Sequence, residues 1–335
     1  MRREEQQLRQ EIIKIGKRLY DLRLVVAKGG NLSASLGSDL ILITASGCCL
    51  GQLKEKDILK VNLTQARSIE DKALTTEFSL HSLIYKNFKF KTVIHCHPPL
   101  INAYYSVNDS LENITFESKL FLGKVPQVKQ ATPNISQPQD VIEVLRLSNI
   151  VVIKNHGVVC MHESFDEAFY LIEELEEAVR TAAVARLFKK ENLNLLNQQL
   201  KQTLSPPKSK SRYDMFTREH IEAILDLVKN DEFILKKGKE LDLTLGLAMK
   251  VEGEDEVYKF HFEQGKVKGL EFDDNTPFVI SAPQEVWRLI FQGQLDPFVA
   301  ITQGKMRLKG GLGRLSRWYE PLSRLFELFK AISLK

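Results

Sequence analysis

The chain has 335 residues, 43% hydrophobic and 27% charged, and its 47 basic and 43 acidic side chains leave a net charge of +4. That length supports two domains with separate cores, and the composition is that of an ordinary soluble globular protein. The charge is too small and dispersed for a nucleic-acid surface, and no apolar run reaches the roughly eighteen residues of a membrane span. Met1-Arg2-Arg3-Glu4-Glu5 opens a polar amphipathic helix instead of a signal peptide, so a cytoplasmic protein is expected. Cys48, Cys49, Cys96 and Cys160 are too few and wrongly spaced for a disulfide framework, and reduced thiols are expected.

In chain order, helical spacing of Leu8, Ile12, Ile15, Leu19, Leu22 and Val26 predicts a helix over 4–26. Strands are predicted at Leu40 to Thr44, Val93 to His97 and Ile150 to Lys154. Thr76 is placed to cap a helix through Phe78, His81, Leu83, Ile84 and Tyr85. Ser164 starts a long helix to about Lys190, whose Glu173, Glu174, Glu176 and Glu177 read as a solvated acidic face. Two prolines among Ser and Lys mark residues 201–212 as an interdomain linker, between a first domain over 1–200 and a second over 213–335. In the second, Glu219 to Lys229 reads as a helix, and Leu241 to Val251 and Val257 to Leu270 alternate like strands, with Glu263-Gln264-Gly265 turning a hairpin. A helix from Pro283, a short strand at Met306 to Lys309 and an amphipathic helix from Leu312 to Ile332 complete the chain.

Three histidines carry the chemistry. His95 and His97 are two apart on a predicted strand, so both can reach one metal ion, while Cys96 between them points away. His156 follows a β-branched run and precedes Gly157, which places a third imidazole at a strand end. Three imidazoles with an open position describe a catalytic rather than a structural zinc site. Thr75-Thr76-Glu77 lies at a predicted helix start, where free N–H groups and hydroxyls suit a phosphate. Lys28-Gly29-Gly30-Asn31-Leu32-Ser33 and Thr44-Ala45-Ser46-Gly47 are further turns suited to an anion. Glu77 is the candidate acid–base group, since a carboxylate beside a metal can move a proton once substrate binds.

Gly30-Asn31-Leu32-Ser33, Thr44-Ala45-Ser46-Gly47, Thr75-Thr76-Glu77, His95-Cys96-His97-Pro98 and Asn155-His156-Gly157, in this order and spacing, resemble the class II aldolase/adducin family over about residues 5–195. That resemblance implies an α/β fold, a three-layer α/β/α sandwich around a mostly antiparallel sheet, assembled as a homotetramer. It implies zinc (Zn2+) on His95, His97 and His156, Glu77 as the acid–base residue, and phosphate contacts from Asn31, Ser46, Gly47, Thr75 and Thr76. Lys28 stands where the family has threonine and keeps anion-binding chemistry. The implied activity is that of an aldehyde-lyase acting on a small phosphorylated ketose through a metal-stabilised enediolate. Epimerase or dehydratase chemistry on the same metal, or a non-catalytic scaffold or lipid carrier, are the alternatives. Adducin keeps the fold without the metal histidines, so their retention favours an enzyme. Phe116 occupies the position of the aldolase tyrosine proton donor and cannot donate a proton, which leaves Tyr104 or Tyr105 as substitutes.

The segments Pro277 to Trp287, Gly293 to Ile301 and Gln303 to Gly310 resemble the sterol-carrier-protein type lipid-binding domain. The resemblance implies an α+β domain with a five-stranded sheet and a lipid or fatty-acyl ligand. The stripe Leu312, Leu315, Trp318, Leu322, Leu325, Phe326 and Phe329 reads first as core.

Overall fold

A computed structural model describes residues 2–64, 67–68, 73–130, 135, 137–188 and 212–335. The chain divides between Glu191 and Asn192 into two compact units. The expected linker lies outside the described residues up to 211, and Arg212 already belongs to a strand.

The first unit runs α1 (Arg2–Asp21), β1 (Asn31–Gly37), β2 (Leu40–Thr44), β3 (Ile58–Asn62), β4 (Arg67–Ser68), α2 (Phe78–Asn87), β5 (Thr92–Cys96), α3 (Pro99–Val107), α4 (Phe116–Phe121), β6 (Gln127–Val128), α5 (Pro138–Leu145), β7 (Ile150–Ile153), β8 (Gly157–His162) and α6 (Phe165–Phe188). Its eight strands form one sheet, ordered β4-β3-β2-β1-β5-β8-β7-β6. Every pairing is antiparallel except β6 with β7. Strand alternation sorts the core into two layers. Ile94, Cys96, Val152, Val158 and Cys160 pack with Ile12, Ile15 and Leu19 of α1, Ile101 and Tyr105 of α3, and the apolar side of α6. Val93, Val151, Ile153, Val159 and Met161 pack with Leu80 and Ile84 of α2 and Val141, Ile142 and Leu145 of α5. Helices therefore cover both faces, which is the α/β/α layering expected of the chain.

Several local expectations shift. The first helix stops at Asp21, Arg23 takes φ 58°, and Leu22 and Val26 lie exposed, so the run ends a turn earlier than its periodicity suggests. Glu77, not Thr76, occupies the cap position of α2, and its side chain makes no capping bond. Glu176 is only 7% exposed and is no part of a solvated face. Its carboxylate accepts from the backbone N–H groups of Leu100 and Ile101 at 3.3 and 3.1 Å, because the first turn of α3 has N–H groups without helical partners and a positive dipole end.

In the second unit, a short strand β9 (Arg212–Tyr213) pairs in parallel with Ser333–Leu334 near the end of the chain. Strands β10 (Leu245–Val251), β11 (Val257–Glu263), β12 (Lys266–Glu271), β13 (Phe278–Ala282) and β14 (Arg307–Lys309) form a five-stranded sheet ordered β12-β11-β10-β13-β14. The number of strands is the one implied by the sterol-carrier resemblance. Gln264 at φ 48° and Gly265 at φ 80° make the tight turn between β11 and β12. The helix Glu232–Glu240, capped by Asp231, was absent from the periodicity argument, which ran strand character back to Leu241. The terminal helix is broken into Leu312–Leu315, a 3-10 turn at Ser316–Trp318 and Tyr319–Phe329. Pro321 lacks an N–H and sits in the first turn of the last segment, where none is required. Leu315, Leu322, Leu325, Phe326 and Phe329 are buried as the apolar stripe requires.

Candidate functional site

The site forms where the middle of the first sheet meets the start of α2. Antiparallel register sets Asn31 of β1 directly beside His95 of β5, and His95 beside Val159 of β8. His95 shares the face of Val93, toward α2, while Cys96 enters the opposite core. His97 lies one residue beyond β5, held by its backbone N–H donating to Leu24 O at 3.0 Å. His156 stands in the turn between β7 and β8, where Asn155 takes φ 61° and the Asn102 side-chain amide donates to the His156 carbonyl at 3.1 Å.

Two glycines owe their place to these histidines. Gly30 takes φ +76°, and a Cβ there would stand 2.7 Å from the His95 carbonyl oxygen. Gly157 was expected to permit a sharp turn, yet the left-handed residue of that turn is Asn155. What Gly157 supplies is room: a Cβ would collide with the Cys96 carbonyl oxygen and stand 2.6 Å from the His97 ring.

The three imidazoles converge through one nitrogen each. His95 Nε2 lies 3.0 Å from His97 Nε2 and 3.0 Å from His156 Nε2, and all three ligand atoms fall within 4.8 Å of one another. His95 Nδ1 donates to the Val158 carbonyl at 2.8 Å, which fixes the proton there and leaves Nε2 bare toward the other two rings. Glu77 closes the group, with Oε1 3.2 Å from His156 Nε2 and Oε2 3.2 Å from His95 Nε2. Burial holds the His95 and His97 pKa values down, His97 at about 3, with the neighbouring imidazoles adding to the effect. The His95 and His97 rings are therefore neutral near pH 7, the form that binds a metal. Burial works to raise the Glu77 pKa, but the His95 and His156 imidazoles and the Asn31 amide outweigh it and hold the carboxyl well below its usual range. Neutral nitrogens whose lone pairs meet at one point, beside an ionised carboxylate, are the donor chemistry of a divalent cation.

These groups border a cavity of about 190 Å³ lined by the metal, acid–base and anion candidates of the sequence: Lys28, Asn31, Ser46, Gly47, Thr75, Thr76, Glu77, His95, His97 and His156. The two hydroxyl turns are pinned together, since Ala45 bridges to Leu74 and the Ser46 N–H donates to Ala73 O at 3.0 Å. Gly29, Gly30, Ala45 and Cys48 complete the lining. Asn31 is not a free anion contact: its amide nitrogen donates to Glu77 Oε2 at 2.8 Å and its oxygen accepts from His81. The tyrosines proposed to replace Phe116 do not reach the cavity. Tyr104 and Tyr105 belong to the core on the other face of the sheet, and Phe116 is 58% exposed on α4.

Sequence reasoning missed the buried polar chain behind Glu77. Ser33 Oγ lies 2.6 Å from His81 Nδ1 and 2.9 Å from the Tyr85 hydroxyl. A signal existed: Glu77, His81 and Tyr85 are successive i, i+4 positions, and Asn31 and Ser33 alternate on one face of β1.

The chain matches the family model described as "Class II Aldolase and Adducin N-terminal domain" over residues 10–183. It is 34% identical over 184 residues to an L-fuculose phosphate aldolase of Methanocaldococcus jannaschii, covering 54% of this chain and 99% of that protein. A 3-oxo-tetronate 4-phosphate decarboxylase of Pectobacterium atrosepticum is 28% identical over 183 residues, 52% of this chain and 84% of that protein. Among solved structures, L-fuculose-1-phosphate aldolase from Thermus thermophilus superposes with a TM-score of 0.50 at 25% identity, covering 54% of this chain and 95% of that one. With the layered sheet, the converging histidines and a family match over residues 10–183, more than half of the chain, the chain belongs to the class II aldolase and adducin family.

Proposed function

We propose that the protein is a zinc-dependent aldehyde-lyase that cleaves or forms a carbon–carbon bond in a small phosphorylated ketose. In this proposal the catalytic unit is the domain over 1–200, joined through 201–212 to a sterol-carrier-type domain over 213–335. The observation that carries the lyase reading is the convergence of His95, His97, His156 and Glu77 on a cavity that is otherwise lined by Lys28, Asn31, three hydroxyl residues, Cys48 and small residues. His95, His97 and His156 would hold the metal. When bound, a divalent cation polarises the carbonyl and neighbouring hydroxyl oxygens of the substrate.

The protein's own groups do the rest. Ser46, Thr75 and Thr76 offer hydroxyl donors, the turn at Gly47 offers close backbone approach, and Lys28 offers a positive charge to a phosphate in the same cavity. The second hydrogen on Asn31 Nδ2 is available to the same anion, while the first stays with Glu77. As the carbon–carbon bond breaks, the hydroxyl on the departing carbon gives up its proton and becomes the aldehyde, the electron pair stays with the phosphate-bearing fragment, and a proton is delivered to that carbon through Glu77. The 3-oxo-tetronate 4-phosphate decarboxylase relatives support a second reading, loss of carbon dioxide from a 3-oxo acid phosphate, which leaves an electron pair at the same position for Glu77 to protonate.

The test is metal analysis of protein prepared with zinc, followed by product analysis with ketose 1-phosphates and 3-oxo acid 4-phosphates. Stoichiometric metal lost in His95→Ala and His156→Ala is expected. Glu77→Gln is expected to keep the metal and lose about 10²–10⁴-fold in kcat, the span of general acid–base catalysis. Wild-type protein without stoichiometric divalent metal sinks the proposal, and carbon dioxide release without aldehyde selects the second reading.

A further inference from the structure

The chain behind Glu77 has a single consistent direction. Asn31 donates Nδ2 to Glu77 Oε2 at 2.8 Å and turns its carbonyl oxygen to His81. That oxygen only accepts, so His81 must carry its proton on Nε2. His81 Nδ1 then accepts from the Ser33 hydroxyl, and Ser33 Oγ accepts from Tyr85. Every hydrogen from Tyr85 to Glu77 points toward the cavity. Asn31, Ser33 and His81 are all buried, and burial also holds the His81 pKa down to about 3, so the ring stays neutral. In a medium where water cannot substitute for a lost partner, such a chain holds one arrangement.

We propose that His81 is a positioning residue for Glu77: acting through Asn31, it fixes the amide so that Nδ2 holds Oε2, and so leaves Oε1, on the His156 side, as the oxygen that exchanges the proton with substrate. Without the His81 N–H, the buried Asn31 carbonyl oxygen is left without its donor, and Glu77 alone holds the amide in place. An amide that shifts to regain a partner carries Nδ2, and with it Glu77 Oε2, out of position. None of His81, Ser33 and Tyr85 lines the cavity, so none of them touches substrate. The assignment of Oε1 rests on Glu77 acting as the acid–base group, whereas the direction of the chain does not.

The experiment therefore has two arms on the full chain. Nitrogen-15 spectra of histidine-labelled wild-type protein read the His81 tautomer without any turnover. A proton on Nε2 and a bare Nδ1 are expected, and a proton on Nδ1 overturns the proposal. Kinetics of zinc-loaded His81→Leu and His81→Gln form the second arm. The leucine variant is expected to lose about 10–100-fold in kcat, the usual cost of removing a supporting hydrogen bond, with KM and metal content unchanged. Glutamine can still donate to Asn31 and is expected to recover most of that rate. A leucine variant with wild-type kcat, or a glutamine variant as slow as the leucine one, overturns the role. If wild-type protein proves inactive on every sugar phosphate, the functional reading fails while the tautomer still decides the chain. If His81→Leu does not fold, the glutamine variant and the tautomer remain decisive.

Discussion

Gly157 shows how tightly single residues are bound to the site. Its position leaves no space for a side chain, because the Cys96 carbonyl oxygen and the His97 ring occupy it. Gly157→Ala is expected to push the turn carrying His156 away from His97. The insertion of one methyl group into a full site costs about 1–3 kcal/mol, read as a lower urea midpoint, and the separation of two candidate ligands is expected to lower the divalent metal bound per chain. Unchanged metal content together with a lowered midpoint would confine the glycine to packing. The residues themselves were legible from the sequence: the His-Cys-His alternation and the Asn155-His156-Gly157 turn both identify ligand candidates. The sequence could not disclose why the glycine is there, since the atoms that exclude a Cβ lie some sixty residues earlier in the chain, on another strand.

At the scale of elements, helix α3 depends on α6. Pro98 and Pro99 begin α3, and no side chain at its cap position accepts from its first turn. Glu176 of α6 takes that place by binding the N–H groups of Leu100 and Ile101. Glu176→Ala is expected to destabilise the first unit by about 1–3 kcal/mol, the cost of leaving buried donors without a charged partner. Glu176→Gln retains an acceptor oxygen and is expected to lose less. Equal unfolding midpoints for wild type and the alanine variant would contradict the cap. Because Asn102 of α3 holds the His156 carbonyl, fraying of α3 also loosens the histidine turn. Periodicity located α2, β2, β5 and β7 to within a residue or two. It misjudged the Glu176 face, because a helical wheel shows which residues share a side but not what packs against it. The same limit applies to the terminal helix, whose stripe was correct and whose continuity was not.

For the whole molecule, both units contain histidines whose pKa is held low, His81, His95 and His97 in the first and His220 in the second, and together they give the protein a common response to acid. Burial holds His81 to about 3 and His220 to about 4, both well below the ordinary histidine value near 6.5. His220 accepts from the Phe216 N–H and packs edge-on to Phe291 at 4.7 Å between ring centres. Below about pH 6.5 the unfolded chain binds protons that the folded units refuse, so stability rises with pH across the window from the folded values up to 6.5 and is flat above it. Each histidine contributes a slope approaching about 1.4 kcal/mol per pH unit in that window. Glu77, held below the usual carboxylate range, acts with the same sign at lower pH: its contribution is complete above about 4.5 and is lost as pH falls. Urea midpoints of chelator-treated protein are expected to be level from pH 8 to 7 and to fall steadily from pH 6 to 4.5, and a level midpoint down to pH 4.5 would contradict this. Local sequence by itself determined α2, β2, β5 and β7 and the three imidazoles, because periodicity and ligand spacing are written within a few neighbouring residues. Only the tertiary structure decided that Tyr104 and Tyr105 face the opposite core, that Asn31 and His81 stand behind Glu77, and that Glu176 serves α3. Those facts follow from strand order and from the β1–β5 register, which join residues far apart in the chain, and no local pattern encodes them.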